Sequence, residues 1–382
     1  MKKYMLELLL IAPAIIAFQA CNKNAVTPAQ SDLLALPASA AAPVDNSQTD
    51  AKINLGRQLF WDPILSGNKD VACASCHHPA EGYCDNLDLS IGVNGVGLGA
   101  NRHFGPGSSF LFAKRNSPTI LNAAFNGMDE NGNYDPSTAP MFLDNRKQSL
   151  EMQSLEPIKS LEEMRGTAFT AQTALDSVVA RLKGIPEYAE LFKSAFPDDE
   201  GITAGNIAKA IAAFERTLLS VNSPYDRYAR GEISAMSQSQ IQGLNAFIRT
   251  GCAKCHSGPM FSDYELHVMS VPDNSQIATD AGSANTYAFR TMSLRNLSLT
   301  APYMHNGVFK TLDQVIQFYD RVGGGNSQNA HVQRNALDPK LRGINDHDKE
   351  LIIGFLKALE DNAFDRTIPD HVPSNLRPGG NL

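Results

Sequence analysis

Apolar positions along the chain recur mainly at helical spacing. Ile207, Ala210, Ile211, Phe214 and Leu218 share one face, with Thr203 placed to cap it. Ser223-Pro224 then breaks the pattern. Ser237, with Gln240 three residues on, is a capping-box signature that opens a helix bearing Ile241, Leu244 and Ile248. Residues 311–320 and 346–360 predict two further amphipathic helices. In the first, Leu312, Val315, Ile316 and Tyr319 stand at i, i+3, i+4 and i+7, so Tyr319 belongs to the buried face. Strand signals are few. Residues 82–107, rich in Gly and Asn, follow neither period and read as a long loop. The expected class is mainly α with long irregular loops.

The ends of the chain follow other rules. Lys2 and Lys3 precede a short apolar stretch, Leu8 to Ala17, too short to span a bilayer, and Phe18-Gln19-Ala20-Cys21 is similar to a lipoprotein cleavage box. Residues 1–21 therefore predict an export signal and a periplasmic protein. Either Cys21 is lipidated and attaches the protein to a membrane, or the leader is simply cleaved. Residues 22–50, dominated by Ala, Pro, Ser and Asp, predict a flexible linker. Two domains are expected after it, 51–222 and 223–366, with a tail at 367–382.

Charge and cysteine usage narrow the function. The chain has 382 residues and a formal net charge of -7, which argues against nucleic acid as a partner and is compatible with a basic electron-carrier cytochrome. Of six cysteines, four fall in two copies of C-x-x-C-H, at Cys73-Ala74-Ser75-Cys76-His77 and Cys252-Ala253-Lys254-Cys255-His256. In such a motif two thiols add to the vinyl groups of a porphyrin and the adjacent His reaches the iron. A zinc site or a redox dithiol uses similar residues. Paired zinc motifs, however, stand about 15–20 residues apart, whereas these are separated by most of a domain. Two covalent haem c groups are the expectation. Cys84 reads as a small buried hydrophobe, with a functional thiol as the alternative.

The motif order carries more. Arg115-Asn116-Ser117-Pro118-Thr119-Ile120-Leu121-Asn122 follows the first haem motif, then Phe142-Leu143-Asp144-Asn145-Arg146, then Gln153, Pro157 and Glu163. Leu294-Arg295-Asn296 and Thr300-Ala301-Pro302-Tyr303-Met304-His305-Asn306-Gly307 follow the second. Over residues 52–365 this resembles the bacterial dihaem cytochrome c peroxidase superfamily, including MauG-type enzymes. The resemblance implies two cytochrome-c-like haem domains with facing haems and a calcium ion between them at Asn116, Thr300 and Pro302.

It also implies roles. Tyr319 stands where ordinary peroxidases carry a distal Met, and Tyr there is the MauG-type feature; read from the residues alone, it is a core tyrosine with a bonded hydroxyl. A phenolate ligand would favour oxidised iron relative to a thioether. Val93 replaces the distal His of the first haem, which leaves His103 as the one nearby substitute and a solvent-facing loop histidine as its alternative. Gln153, Pro157 and Glu163 match the distal pocket of MauG-type enzymes, with Glu163 moving a proton between the oxygens of hydrogen peroxide and Glu162 as its decoy. Leu143 replaces the family's inter-haem Trp. The implied activity is peroxide reduction at the N-terminal haem with electrons from a cytochrome. A MauG-type oxidation of a partner protein or small organic substrate is the second reading, and a non-enzymatic electron carrier the third. A homodimer is compatible with each.

Overall fold

The computed structural model describes residues 34–108, 110–199 and 201–381. Cys21 and the whole export signal lie outside them. Eleven α-helices and several 3-10 turns occur among the described residues, with only three two-stranded ribbons. No helix among these residues is long and apolar enough to cross a membrane.

The first half is built from α1 (Asp50–Trp61), the single turn α2 (Cys73–Cys76), α3 (Leu150–Ser154), α4 (Glu156–Lys159), α5 (Ala174–Lys183), α6 (Pro186–Ala195) and α7 (Ala204–Glu215). Thr203 caps α7 by accepting from the Asn206 amide, and Ile207, Ala210 and Ile211 enter a core with Leu55, Leu59, Tyr188 and Phe192. The second half holds α8 (Pro224–Ala229), α9 (Gln238–Arg249), α10 (Leu312–Gly323) and α11 (Asp346–Leu356). Ser237 and Gln240 form the expected capping box of α9, and Thr311 with Gln314 forms a second at α10. Leu244, Phe247, Ile316, Ile352 and Phe355 make the second core.

A likeness between the halves escapes the eye in the sequence. In each, the helix that leads into the haem motif crosses a later helix, α1 on α7 and α9 on α11. A glycine stands at each crossing: a Cβ on Gly56 would lie 1.9 Å from the Ala210 carbonyl oxygen, and one on Gly243 would lie 2.1 Å from that of Leu351. Backbones this close admit no side chain. One glycine and an apolar face are too little identity to register as a repeat.

One expectation needs correction, and the tail proves to be docked. Within the predicted linker, residues 34–50 are packed rather than free. Leu36 is buried with Phe125, Met128 and Met260. Its amide donates to Asp226 Oδ1 at 3.0 Å, and Asn46 donates to Glu151 Oε1 at 2.8 Å. Composition missed this because two anchors among many Ala and Pro suffice. The predicted tail is also docked. Val372 is fully buried, Ser374 Oγ donates to Asp62 at 2.6 Å, and the Gly379 amide donates to the Trp61 carbonyl at 2.7 Å. The tail reaches the first haem motif itself, since Ser75 Oγ donates to the Gly379 carbonyl at 2.7 Å.

Candidate functional site

Both C-x-x-C-H motifs close the same turn. The His77 amide donates to the Cys73 carbonyl and the His256 amide to that of Cys252, each at 2.9 Å. Both imidazoles are then fixed alike. His77 Nδ1 lies 3.0 Å from the Tyr83 carbonyl and His256 Nδ1 lies 3.0 Å from the Phe261 carbonyl. A carbonyl can only accept, so Nδ1 carries the proton and Nε2 presents its lone pair. Burial lowers both imidazole pKa values and keeps the rings neutral. Neutral imidazoles with Nε2 free and two thiols one turn away fit covalent haem at each site.

The surroundings differ. The second motif opens on a largely apolar cavity lined by Cys252, Cys255, His256, Met269, Met292, Leu312, Ile316 and Tyr319. The Tyr319 hydroxyl has no hydrogen-bond partner among the described residues, and burial with the nearby Cys252 and Cys255 sulfurs pushes its pKa up. Cys255 also lies with Asp263 and His267 in a group whose ligand atoms fall within 4.8 Å of one another. Both His267 nitrogens are already engaged, by Asp338 at 2.6 Å and Asp263 at 3.0 Å, and Cys255 belongs to the haem motif.

The same cavity extends to Asn116, Ser117, Thr300 and Pro302. Ser117 Oγ donates to the Cys76 carbonyl at 3.0 Å and lies 3.3 Å from His77 Nδ1, so one wall touches the first motif. The three residues assigned to calcium thus line one cavity. Asn116 spends its amide nitrogen on the Leu87 carbonyl at 2.7 Å, which leaves Oδ1 available. Leu143 and the stacked pair Phe289 and His305, 3.9 Å between centroids, complete this wall. Arg115 ties the halves together here, bonding Asp280 at 2.6 Å and Asp144 at 2.9 Å.

Glu163 sits on a π-helical turn, Leu161–Arg165, closed by the Arg165 amide on the Ser160 carbonyl at 2.9 Å. Such turns widen the helix and re-aim a side chain. Its carboxyl accepts no hydrogen bond and makes no ion pair among the described residues. It lines a polar pocket with Arg115, Asp144, Arg146, Glu156, Lys159 and Glu162. Burial, reinforced by the charge of Glu162, pushes its pKa to about 7. It is also close enough to Cys76 to help raise that thiol to about 12, burial being the larger cause. Glu162 shares the pocket; of the two, Glu163 is the one that acts on Cys76, together with Asp85 and Arg102. Gln153 lies on α3 and Pro157 is the second residue of α4, just before this turn; neither lines the pocket itself.

The remaining expectations sort as follows. Val93 is fully buried, and its Cγ1 would lie 3.0 Å from a Cβ on Gly166. His103 is exposed on a short strand, with Nδ1 3.0 Å from the Asn101 carbonyl. Cys84 is buried and donates to the Glu81 carbonyl at 2.9 Å. Two carboxylates escaped the sequence reading. Asp85 and Glu215 are each buried with one oxygen unpartnered. Burial raises them to about 6 and about 8, and they act on Cys76 and Cys73 respectively. No local pattern marks either; only the fold brings them to the thiols.

Residues 50–234 match the family described as di-haem cytochrome c peroxidase. The chain is 33% identical over 352 residues to the methylamine utilization protein MauG of Methylorubrum extorquens, spanning 89% of this chain and 88% of that one. The chain belongs to the di-haem cytochrome c peroxidase family. It is also 32% identical over 318 residues to the cytochrome c551 peroxidase of Pseudomonas aeruginosa, spanning 80% of this chain and 77% of the relative. Among solved structures, a MauG-like protein associated with microbial copper homeostasis aligns with a TM-score of 0.69 at 27% identity, covering 85% of this chain and 95% of that one. As a di-haem cytochrome c peroxidase or MauG-like protein, the chain is an oxidoreductase that carries two c-type haems.

Proposed function

We propose that this chain reduces hydrogen peroxide at the Cys73–His77 haem, with electrons arriving from an external donor such as a cytochrome c. Each haem, when bound, supplies an iron that exchanges electrons and, where its sixth position is open, accepts peroxide. The observation that carries the reading is Glu163, a carboxyl with no hydrogen-bond partner, raised to about 7 and set near Cys76. In its ionised form it takes the proton from the inner peroxide oxygen and returns it to the outer one as the O–O bond breaks. Gln153 on α3 and Pro157 on α4, which the resemblance assigns to the distal pocket, lie outside the pocket that Glu163 lines and take no step here. Two electrons and two protons convert the peroxide to two waters. Val93 has no atom able to bind iron, so at that position no side chain would hold the first haem's iron opposite His77. Tyr319, whose hydroxyl has no partner among the described residues, would hold the iron of the second haem together with His256.

Tyr319 and Val93 also favour a second reading, MauG-type oxidation of a partner protein or small organic substrate. The two readings separate in stopped-flow mixing of the diferric protein with peroxide. A spectral change without prior reduction favours the second; a change only after one-electron reduction, followed by turnover with reduced cytochrome c, favours the first. No peroxide-dependent change in either state overturns both. A calcium ion at Asn116, Thr300 and Pro302 would complete the cavity between the halves with oxygen ligands. A leader at residues 1–21 is compatible with a periplasmic enzyme, with Cys21 either lipidated or removed by simple cleavage.

A further inference from the structure

We infer that Arg102, outside every motif that marks the family, is a positioning residue for Glu163, acting through the loop Ile91–Gly97. This rests on the reading of Glu163 as the proton carrier. Arg102 is 2% exposed, and its guanidinium is spent on the backbone of one loop. Nε donates to the Ile91 carbonyl, Nη2 to that of Gly92 at 2.6 Å and Nη1 to that of Gly97 at 2.8 Å. A planar fork can hold three carbonyls at fixed angles, and a lysine ammonium cannot reproduce that. Asp70 adds a fourth point by accepting from the Asn94 amide at 2.8 Å.

The loop so held presses on the turn that bears Glu163. A Cβ on Gly92 would lie 2.2 Å from the carbonyl oxygens of both Glu162 and Glu163 and 2.6 Å from the Glu163 Cα. The Val93 amide donates to the Glu162 carbonyl at 3.4 Å. Backbone rests on backbone, so a shift of the loop moves the turn with it. The charged groups facing Glu163 are Glu162 on its own turn, Glu156 and Lys159 from α4, and Lys114, Arg115, Asp144 and Arg146 from the segments before α3, with the Cys76 thiol on α2 facing it as well. None of them bonds the carboxylate, so its place depends on the turn.

The test uses the holoprotein with both haems and two variants. Arg102→Lys keeps the charge and loses the fork. Gly95→Ala keeps the Arg102 side chain but sets a methyl 2.7 Å from its guanidinium and so forces it off its carbonyls. Both are expected to slow the peroxide reaction by on the order of a hundredfold, as small misplacements of a reacting group do. Water reaching the loosened turn should move the pH midpoint of that rate from about 7 down toward the ordinary carboxylate value of about 4.3. Amide hydrogen exchange gives a readout independent of activity. The Val93 and Asn94 amides should be protected in the wild type and exchange faster in both variants, as should those of 162–165. Unprotected Val93 and Asn94 in the wild type, or variants with wild-type rate and midpoint, overturn the inference. If Glu163→Gln itself reacts at the wild-type rate, the reading of Glu163 fails, and the exchange at 162–165 alone decides whether Arg102 holds the turn.

Discussion

Replacing Glu163 by Gln keeps the shape of the side chain and removes its ability to take a proton. A positioned acid–base group contributes about 10²–10⁴ in rate, or about 3–5 kcal/mol of barrier, and that is the expected loss at high pH. The burial that raises the carboxyl to about 7 adds a pH signature. The ionised form starts the reaction, so the wild-type rate should rise with pH, reach half its limit near 7 and level off above it. Two units below the midpoint only about one carboxyl in a hundred is ionised, and the rate should fall on the order of a hundredfold. The variant should be slow and flat across the same range. The assay is stopped-flow loss of the ferric Soret band against peroxide concentration, from pH 5 to 9. The sign for stability runs the other way. The folded protein holds this proton more tightly than the unfolded chain, so burial of the carboxylate costs more as pH rises from about 4.3 through 7, and Glu163→Gln should gain stability relative to the wild type over that window. A variant that keeps the wild-type pH profile and reacts within about threefold of its rate would refute the reasoning.

Three further outcomes follow from the packing. Asp226 and Arg295 form a fully buried two-pronged pair at 2.8 and 2.9 Å, and Asp226 also anchors Leu36. Asp226→Ala should cost about 3–5 kcal/mol in a denaturant titration, since it strands a buried guanidinium. Burial opposes ionisation of Asp226, but Arg295 overrides it and holds the carboxyl below its usual range, so this contribution should persist above pH 4 and fade as pH falls through the depressed value. Removing calcium with a chelator should slow the peroxide reaction reversibly, and Asn116→Ala should weaken calcium affinity measured by titration calorimetry. Restoration by calcium with an unchanged constant in the variant would remove Asn116 from the site.

Much of the architecture was legible because it rests on local rules. Thr203 and Ser237 announce their helices through caps that form as written, whereas the Thr311 cap of α10 emerged only from the structure. The haem motifs announce themselves because two thiols and a histidine must share one turn. The proximal hydrogen bonds were not legible, because Tyr83 and Phe261 contribute main-chain carbonyls that any residue has. Leu36 and Ser374 were hidden for a related reason: a few buried contacts order segments that carry no helical or strand period. Arg102 sits in a Gly-rich loop with no period, and only the meeting of that loop with residues 162–163 gives it a task. Asp85 and Glu215 illustrate the same limit, since their closeness to the thiols is made by long-range folding.

The central claim is that two matched motifs carry unlike irons, one open beneath Val93 and Glu163 and one closed by Tyr319. Electron paramagnetic resonance of the ferric holoprotein tests it directly. The account predicts one high-spin and one low-spin signal, with the low-spin signal lost in Tyr319→Phe. Two low-spin signals in the wild type, or a Tyr319→Phe spectrum unchanged from it, would contradict the account.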